Sequence, residues 1–456
     1  MNNKKIIVLA KFFKGEINPF DASALECALK ISNDVTVVSM SPLSNKAQIQ
    51  ALTRLGAKVV MVSDVLYAGS DTLATSLVLA SAIKTIEHDV VFCGRQSVDG
   101  DTAQIPPMVA RRLGYQIVQE VMTFDGQKAI LRDESVVNVS NKTVLSFEKT
   151  YNLRFPSIFS RQSEIVVIDN GVLKLGVNNV GVKGSPTKVV KAYESVIGRR
   201  NCKFIDFSQL STVIKSSLLA KKENSCLSID KKLDKIYYIG KVKSTAESVA
   251  ENVEEINVDG CFVDDIVVKI KEKQAKIILI EDNLLLKTII PQVAVDLNAG
   301  MCADCVSFSV NELGQFVMTR PAQGGNVTAD IISDSEITFA TVRTIKKSND
   351  LIFSIGKGAE PCIEKIKEFA NDYGAELCCS RIVADTGALP YSAQVGLTGK
   401  RVSPIVYVAF GISGAVQHTC AIEGAQTVIA INKDKNSRIF DYADYGIVGE
   451  VENVKL

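Results

Sequence analysis

The chain contains 456 residues, too many for one hydrophobic core and enough for about three domains. Lysine and arginine number 52 against 51 aspartate and glutamate, a balance that argues against nucleic acid as the main partner. No apolar run approaches the length of a membrane span, and the first residues lead into a strand pattern without a cleavage-site pattern, so we expect a cytoplasmic protein.

The first 195 residues alternate between strand and helix patterns. The strand patterns are short and rich in β-branched residues, and they cover Ile6–Ala10, Val35–Met40, Lys58–Val62 and Val90–Cys93. Helical patterns lie between them, at Ala22–Ile31, Lys46–Leu55 and Asp71–Ile86. This alternation predicts a doubly wound, mostly parallel sheet, in which ligands bind at the carboxyl ends of the strands.

Polar segments follow three of these strands: Asn18–Asp21, Ser39–Pro42 and Gly94–Gln104. In the last segment, Gly100 permits close approach of the backbone, Thr102 can form neutral hydrogen bonds and Arg95 offers positive charge. These features suit a phosphate and a ribose. They suit equally a polar loop that caps a helix beginning near Thr102, with Asp101 as its N-cap.

Residues 196–232 are rich in Lys, Ser and Asn, a composition that predicts a linker. The basic residues of this segment are expected to form a solvated tether rather than a binding patch. One apolar interruption, Val213 to Ala220, is compatible with a short helix that docks onto a domain.

The 11 cysteines are odd in number and scattered, and several lie in apolar runs, so we expect buried reduced thiols. Cys302-x-x-Cys305 is half of a zinc site at most, and no histidine lies near it. We therefore predict no metal site.

From about residue 233 the strand–helix alternation returns, with strand patterns near Ile236–Gly240, Ile277–Ile280, Leu351–Ser354 and Ile405–Phe410. The last strand leads into the turn Gly411–Gly414 and a helix pattern from Ala415, which places His418 one turn inside the helix. A strand, a glycine-rich turn and a helix N-terminus present free backbone N–H groups to a phosphate or to the edge of an electron-rich ring. Taken alone, the same turn serves packing just as often.

The stretch from Ser380 to His418 resembles the FAD-binding domain of the electron transfer flavoprotein alpha subunit. The resemblance rests on S-R-x-x-x-D-x-G-x-x-P, Q-V-G-x-T-G-K, G-I-S-G-A-x-Q-H, A-I-N-K-D at Ala430–Asp434 and A-D-Y-G at Ala443–Gly446, in the order and spacing of the family. Upstream, M-C-A-D-C, T-R-P-A-Q-G-G-N at Thr319–Asn326 and A-T-V-R at Ala340–Arg343 resemble a shortened N-terminal domain of the same subunit.

Residues 1 to about 195 resemble the beta subunit of the same family. The matching motifs are N-P-F-D, A-G-x-D-T-L-A-T-S at Ala68–Ser76, G-R-Q-x-x-D-G-D-T-A-Q, R-F-P-S at Arg154–Ser157 and G-x-K-G-S-P-T-K-V at Gly181–Val189. Two features depart from the family: the loop before N-P-F-D is cut to the seven residues Lys11–Ile17, and Ser41 replaces a glycine.

The resemblance implies a single chain that fuses the beta subunit to the alpha subunit, with an α/β fold of three doubly wound, mostly parallel domains. The implied segments are a beta-like nucleotide-binding domain at 1–195, a linker at 196–232, a truncated alpha N-terminal-like domain at 233–348 and an FAD-binding domain at 349–456.

The implied function is that of an electron carrier, in which FAD passes electrons between flavoprotein dehydrogenases, acyl-CoA dehydrogenase-like or other, and an acceptor. The alternative is an electron-bifurcating component that oxidises NADH at a second FAD. The G-D-T-A-Q motif resembles the subgroup with this activity. The shortened loop argues the other way, because in that subgroup the region helps to hold NADH.

The FAD contacts implied by the resemblance are Lys357, Ser380, Arg381, Gln394, Val395, Gly396, Leu397, Thr398, Ser413, Gly414, Ala415, Val416, Gln417, His418, Asn432 and Glu450. Three of them depart from the family: Lys357 replaces Arg, Leu397 replaces Gln and Glu450 replaces Asp. Arg381 over the flavin, Thr398 towards N5 and a positive His418 near O2 are expected to tune the redox potential. These contacts would stabilise an anionic semiquinone.

A second nucleotide, FAD or AMP, is implied at Leu9, Asn18, Pro19, Phe20, Asp21, Met40, Gly94, Arg95, Gln96, Asp99, Gly100, Asp101, Thr102, Ala103 and Gln104. FAD is favoured by a small margin, because Gly100 and Thr102 leave room for a second phosphate and Arg95 adds positive charge. The shortened loop argues against FAD, since it would leave an isoalloxazine less covered.

The loop Tyr151–Arg161 is expected to dock a partner dehydrogenase, with Arg154 from the R-F-P-S motif and Ile158 at the place of the family's apolar anchor. An ordinary surface loop is the alternative.

Overall fold

The computed structural model describes residues 4–194, 200–219, 232–323, 327–343 and 349–454. The chain divides into two compact units. The first unit comprises Met1–Ala192, Leu227–Gln323 and Ala329–Arg343, and the second comprises Tyr193–Cys226, Gly324–Thr328 and Thr344–Leu456. The predicted fold class, α/β with mostly parallel sheets, is confirmed.

The N-terminal part of the first unit is built around one large sheet. The strands of this part are β1 (Ile6–Leu9), β2 (Phe12–Phe13), β3 (Glu16–Ile17), β4 (Val35–Met40), β5 (Lys58–Val62), β6 (Val90–Gly94), β7 (Gln116–Phe124), β8 (Lys128–Leu131), β9 (Val136–Asn138), β10 (Thr143–Phe147) and β11 (Val166–Ile168), of which β2 and β3 form a separate two-stranded sheet. Its helices are α1 (Pro19–Ile31), α2 (Lys46–Ala51), α3 (Thr72–Lys84), α4 (Ile105–Leu113) and α5 (Asn170–Leu173).

The sheet has the strand order β11-β5-β4-β1-β6-β10-β7-β8-β9, and all pairs are parallel except the two that involve β8. Strand β1 is central, and all of its residues are buried. Ile6 and Val8 belong to the core on one face, whereas Ile7 and Leu9 belong to the core on the other. A strand that is covered on both faces needs a continuous apolar run, which is why β1 shows no polar alternation.

The next segments of the chain are β12 (Thr187–Glu194), β13 (Lys203–Phe204) and α6 (Leu210–Leu219). The strands that follow are β14 (Leu233–Ile239), β15 (Ala250–Glu255), β16 (Ile277–Glu281), β17 (Gly300–Cys305), β18 (Ser307–Val310), β19 (Phe316–Ala322), β20 (Val327–Ser333) and β21 (Thr338–Val342). The helices among them are α7 (Lys243–Val249), α8 (Val263–Glu272) and α9 (Leu284–Leu297).

Within the first unit, a parallel sheet in the order β15-β14-β16-β21-β17 packs against the N-terminal part of the same unit. Helix α4 contacts α9, and Met108 of α4 belongs to the core of this second sheet. Arg111 Nε donates to Asp296 Oδ1 at 3.0 Å across the same contact. The beta-like and alpha-like regions of the first unit therefore share one core. The strands β12-β20-β19-β18 form a further sheet.

The second unit contains β22 (Leu351–Ile355), β23 (Glu376–Cys379), β24 (Val406–Phe410), β25 (Thr427–Asn432), β26 (Tyr445–Val448), α10 (Ile363–Tyr373), α11 (Arg381–Asp385) and α12 (Val416–Thr419). Its sheet has the order β13-β26-β25-β24-β22-β23, and every pair is parallel. The sheet therefore gathers the carboxyl ends of its strands at one edge.

Part of the predicted linker is structured and belongs to the second unit. Strand β13 pairs with β26, and α6 buries Leu210 and Ile214 in the same core as Phe353. These two residues are four positions apart and therefore lie on one face of the helix, which becomes the buried face. Residues 196–199 and 220–231 of the predicted linker, and the end of the T-R-P-A-Q-G-G-N motif at 324–326, lie outside the described residues.

Every cysteine in the described part of the chain is free, and most are buried, including Cys302 and Cys305 in β17. Among the helices that the structure describes, none combines the length and the apolar composition that crossing a bilayer requires.

Candidate functional site

The predicted FAD contacts collect at the carboxyl edge of the sheet in the second unit. Lys357 follows β22, Ser380 and Arg381 follow β23, and the segment from Ser413 to His418 follows β24. Asn432 ends β25, and Glu450 comes shortly after β26. The strand order reverses between β22 and β24, the position where doubly wound sheets bind ligands.

The loops after β22 and β24 meet backbone to backbone at this point. A Cβ atom on Gly356 would overlap the carbonyl oxygen of Gly411, and one on Gly411 would overlap the backbone nitrogen of Ala359. Gly358 N donates to Gly411 O at 3.1 Å. Gly411 also has a φ of 63°, in the left-handed region that glycine tolerates. The glycines are therefore required by the close approach of the two loops.

The loop from Gln394 to Thr398 is fixed from two sides. Val395 N donates to Cys379 O at 2.8 Å, and Leu397 N donates to Gln417 O at 2.6 Å. The hydroxyl oxygen of Thr398 accepts from Gln394 Nε2 at 2.8 Å. The same oxygen accepts from Arg381 Nη1 at 3.2 Å. Two predicted side chains, Arg381 and Gln394, thus donate to the hydroxyl group of a third, Thr398.

His418 is buried, with 6% of its surface exposed. Its Nε2 shares a hydrogen bond of 2.8 Å with the hydroxyl group of Tyr407, a strand residue that the sequence analysis did not assign to the site. Burial lowers the pKa of His418 to about 4, an effect that the backbone of Val395 partly offsets. The imidazole is therefore neutral at neutral pH, which differs from the positive charge expected from the sequence.

Two buried polar atoms at this edge have no hydrogen-bond partner in the described part of the chain: Nδ1 of His418 and Oγ of Ser380. Buried polar atoms are nearly always hydrogen-bonded, so these two call for a polar ligand. The polar edge of a flavin ring offers both donors and acceptors. The residues at this edge therefore fit an FAD.

The remaining predicted FAD contacts include exposed side chains, a one-turn helix and a side chain that is hydrogen-bonded to the protein backbone. Helix α12 is a single turn, so the expected dipole of a long helix is reduced to a few peptide groups. Lys357 and Glu450 are exposed, and Glu450 lies 3.7 Å from Lys433. Asn432 Nδ2 donates to Ile412 O at 2.9 Å, so this side chain holds the turn after β24.

The first unit contains a cavity of about 860 Å³ at the carboxyl ends of β1 and β6, within the usual range for ligand sites. Most residues predicted for the second nucleotide line it: Leu9, Asn18, Asp21, Met40, Gly94, Arg95, Gln96, Gly100, Thr102, Ala103 and Gln104. Pro19, Phe20, Asp99 and Asp101 were also predicted but are not among the lining residues.

Asp21 holds the cavity wall together. Its carboxylate accepts from Lys11 N and from Gly94 N, each at 2.8 Å, and so ties the ends of β1 and β6. A Cβ atom on Gly94 would overlap Asp21 Oδ1. Burial raises the pKa of Asp21 to about 6, although these hydrogen bonds oppose the shift. Asp21 is therefore an anchor of the wall rather than a free ligand contact.

Arg95 does not offer the free positive charge that the sequence suggested. Its Nη1 lies 2.9 Å from Glu148 Oε1 and 3.7 Å from Glu120 Oε1, and its guanidinium lies over the ring of Phe20. Glu148 is distant in sequence and comes directly after β10, the strand that pairs with β6. The charge of Arg95 is therefore compensated within the protein.

The segment from Ser97 to Gln104 runs along the cavity in an unusual backbone conformation. Asp101 and Ala103 have φ values of 50° and 54°. Helix α4 begins only at Ile105, so the interpretation of Asp101 as an N-cap is wrong. Gln104 Oε1 instead accepts from Thr72 Oγ1 at 2.6 Å, which joins this segment to the start of α3.

The shortened loop at Lys11–Ile17 forms a small hairpin of β2 and β3, with Lys14 and Gly15 at its turn in the left-handed region. Lys11 Nζ lies 2.7 Å from Asp99 Oδ2, so the hairpin is linked to the segment along the cavity.

The cavity also has lining residues that the sequence analysis did not assign, at Ser63–Val65 and Tyr67–Thr72. Asp71 caps α3 by accepting from Ala74 N at 3.0 Å and also accepts from Thr187 Oγ1 at 2.7 Å. Both residues lie in motifs that carried the family resemblance. The segments Ser63–Val65 and Tyr67–Thr72 follow β5 at the same edge of the sheet, and this position was a signal that could have placed them at the site.

The loop after β10 exposes Phe155, Ile158 and Phe159. Arg154 is also exposed, but its Nε and Nη2 donate to the buried carboxylate of Glu26 at 2.9 Å each, so the start of the loop is fixed. Arg154 thus anchors the loop, and Ile158 lies on its exposed side.

Within the ranges that the structure describes, no group of three or more His, Cys, Asp or Glu side chains is placed to hold a metal ion.

Comparison with known proteins gives matches to both halves of the chain. A family model for the electron transfer flavoprotein domain matches residues 6–141 and 263–369, and one for the electron transfer flavoprotein FAD-binding domain matches residues 346–423. The N-terminal region matches beta subunits and the C-terminal region matches alpha subunits.

Two relatives come from Thermoanaerobacterium thermosaccharolyticum. Its electron transfer flavoprotein subunit beta is 35% identical over 192 residues, covering 38% of this chain and 74% of that subunit. Its subunit alpha is 33% identical over 230 residues, covering 40% of this chain and 70% of that subunit. The beta subunit of Clostridium acetobutylicum is 37% identical over 195 residues, covering 39% of this chain and 74% of its own length.

Proposed function

Because this chain belongs to the electron transfer flavoprotein family and joins beta-like and alpha-like regions in one polypeptide, we propose that it carries electrons between flavoprotein dehydrogenases and an acceptor. The observation that carries the proposal is the edge of the second unit's sheet, where Nδ1 of His418 and Oγ of Ser380 have no hydrogen-bond partner among the described residues, near the closely packed backbones of the loops after β22 and β24. FAD, when bound there, supplies the one-electron redox chemistry.

The protein's own residues would set the environment of the flavin. The neutral ring of His418, oriented by Tyr407, offers a hydrogen bond from a dry site, where such bonds are strong. Arg381 donates to Thr398 and lies 3.4 Å from the carboxylate of Asp385, so the positive charge that it brings to the same edge is partly compensated. Charge that develops on the ring during reduction is stabilised by both groups.

We also propose a second adenine nucleotide in the cavity of the first unit. The cavity volume and the apolar side chains of Val38, Val62 and Leu79 support a planar ring. Gly100 has open space on one side, since a Cβ atom there would meet only Ser97 Oγ at 3.3 Å. FAD stays our first candidate over AMP for this reason. The paired charge of Arg95 removes one of the supports that the sequence suggested for a diphosphate.

Acid extraction and chromatography of the nucleotides test this proposal. Two FAD per chain would support it fully, and one FAD with one AMP would overturn the choice of FAD for the cavity. A chain without flavin would overturn the electron-carrier function.

Two glycine-to-alanine variants, each of which adds one methyl group, test which unit holds which nucleotide. Gly411→Ala should lose the FAD of the second unit, and Gly94→Ala should lose the nucleotide of the first, because each new Cβ overlaps the neighbouring loop. Gly374→Ala is the matched control for Gly411: its φ of 62° is nearly the same, but no atom lies within 4 Å of the new Cβ. This control should keep both nucleotides.

A further inference from the structure

Arg320 is a buried cation, and no carboxylate among the described residues forms an ion pair with it. It lies in β19, only 5% of its surface is exposed, and its Nε has no hydrogen-bond partner in the described part of the chain. Its Nη2 donates to the carbonyl oxygen of Asp101 at 3.2 Å. Burial of an unpaired charge is costly, so a residue of this kind needs a reason to be there.

The acceptor of that hydrogen bond lies in the most strained part of the cavity wall. Asp101 and Ala103 both have left-handed backbone conformations, which are unfavourable for residues with a side chain. Such conformations persist only where the surrounding contacts hold them. Gln96 supplies one of these contacts, from its Nε2 to Asp101 Oδ1 at 3.0 Å.

Besides the contacts of Thr72 and Lys11 within the beta-like part, further contacts come from the alpha-like part of the first unit. Besides Arg320, Gln323 N donates to Asp99 O at 3.1 Å, and Met301 O accepts from Gln104 Nε2 at 3.3 Å. The segment from Ser97 to Gln104 is thus held at three points by residues more than 190 positions later in the chain.

The positively charged side chains near this segment differ in whether a carboxylate pairs with them. Lys11 is paired with Asp99, and Arg95 with Glu148. The carboxylate of Asp304 near β19 is taken by Arg343. Arg320 lies close enough to Cys302 for its positive charge to lower the pKa of that thiol, after the hydrogen bond from Cys305. Among the described residues, Arg320 is therefore a cation near the cavity wall with no carboxylate paired to it.

We propose that Arg320 is a positioning residue for the second nucleotide: it holds the segment from Ser97 to Gln104 in the conformation that receives the phosphate groups. Its positive charge, behind the same backbone, favours an anionic ligand. The alpha-like region therefore completes the nucleotide site of the beta-like region. This proposal rests on the second nucleotide proposed above.

The test uses the full chain with the flavin of the second unit retained and the cavity of the first unit freed of copurified nucleotide, and AMP and ADP as probes. Arg320→Met should weaken AMP binding at least tenfold in calorimetric titration. Arg320→Lys should lose less AMP affinity, because lysine keeps the positive charge but lacks the several N–H donors of the guanidinium group. The flavin content of the second unit should stay at the parent level. Arg343→Met is the matched control, since Arg343 is also buried near this sheet but pairs with Asp304. Its AMP affinity should stay within threefold of the parent.

Hydrogen exchange gives a readout that does not depend on the nucleotide. Without added AMP, the amides of residues 97–104 should exchange at least tenfold faster in Arg320→Met than in the parent or in Arg343→Met. Adding Ala103→Gly to Arg320→Met should restore part of the affinity, because glycine adopts the left-handed conformation without strain.

Unchanged exchange and unchanged AMP affinity in a folded Arg320→Met chain would overturn the proposal. Equal losses of AMP affinity in Arg320→Met and Arg343→Met would also overturn the proposal, since they would indicate that both substitutions destabilise the fold in general. A third outcome is that the parent binds neither AMP nor ADP while residues 97–104 still exchange faster in Arg320→Met. In that case the proposal of a second nucleotide is wrong, and the conclusion that Arg320 positions this segment stands.

Discussion

The histidine at the proposed flavin edge illustrates how burial changes the chemistry of a residue. His418 is placed by the short turn after β24, and its ring is fixed by the hydroxyl group of Tyr407. Because burial lowers its pKa to about 4, it acts on a ligand as a neutral hydrogen-bonding group. Its stabilising effect on negative charge therefore comes from a dry, oriented dipole rather than from a full charge.

We expect His418→Ala to lower the first reduction potential of the flavin by roughly 20–65 mV. Loss of one hydrogen bond costs about 0.5–1.5 kcal/mol, and about 1.4 kcal/mol corresponds to 59 mV for a one-electron couple. Spectroelectrochemical titration of the purified chain measures this shift. Tyr407→Phe should give a smaller shift in the same direction, because it frees the ring without removing it.

His88→Ala is the control, since His88 is the other histidine of the chain and contacts Tyr115 in the first unit. It should leave the potential unchanged. Identical potentials in His418→Ala and the parent would exclude His418 from the tuning of the flavin.

At the scale of elements, the loop after β10 combines a fixed base with an exposed apolar side. Glu26 and Arg154 hold its start, and the side chain of Arg54 donates to the carbonyl oxygens of Ser157 and Ser160 at 3.3 Å each. Ile158 is 85% exposed between two exposed phenylalanines. A rigid loop that presents large apolar side chains is typical of a protein-binding site.

We therefore predict that Ile158→Ala slows electron transfer from a partner dehydrogenase at least about fivefold, since a central apolar anchor of an interface contributes more than 1 kcal/mol. Stopped-flow reduction by the dehydrogenase measures the rate, and the FAD content should not change. Leu313→Ala is the matched control, because Leu313 is 83% exposed in the turn between β18 and β19. Equal rates in all three proteins would show that the loop is an ordinary surface loop.

Helix α6 is packed onto the second unit although it lies in the segment predicted as a linker. The sequence around it is polar and basic, and the segment as a whole reads as a linker. Two apolar residues at helical spacing, Leu210 and Ile214, are enough to bury one face in the core of the second unit. The boundary of the FAD-binding unit is therefore set by packing, not by average composition.

At the scale of the whole molecule, the two halves of the chain can support either an electron carrier or a bifurcating component. The hairpin of β2 and β3 bears on this choice, because only the eight residues 10–17 stand between the end of β1 and Asn18. So short a hairpin leaves little chain to cover a flavin ring or to hold NADH over it. We infer that the chain works as a carrier.

The expected result is that NADH alone does not bleach the flavin rapidly. Anaerobic mixing of the purified chain with NADH, followed at the flavin absorbance band, measures the rate. Dithionite serves as the positive control and should reduce all bound flavin. Rapid bleaching by NADH without another protein would contradict the carrier assignment and favour the electron-bifurcating alternative.

The sequence by itself determined the doubly wound fold and the edges at which the sites lie. β4 and β5 have the predicted bounds, because runs of β-branched residues and the turns around them are local features. Once the strands were placed, the residues after them had to meet at the carboxyl edge, since that edge is common to all parallel strands. The motifs then placed the FAD-binding region within the last part of the chain.

Only the tertiary structure decided which of these residues are free to act. Arg95 is compensated by Glu148, Asp21 is used to join two strands, and His418 is neutral. Arg320 reaches Asp101 across 219 positions. No local pattern encodes such pairs, because charge compensation and burial depend on which distant segments pack together. The sequence names the candidate groups, whereas the packing sets their charge, their orientation and their partners.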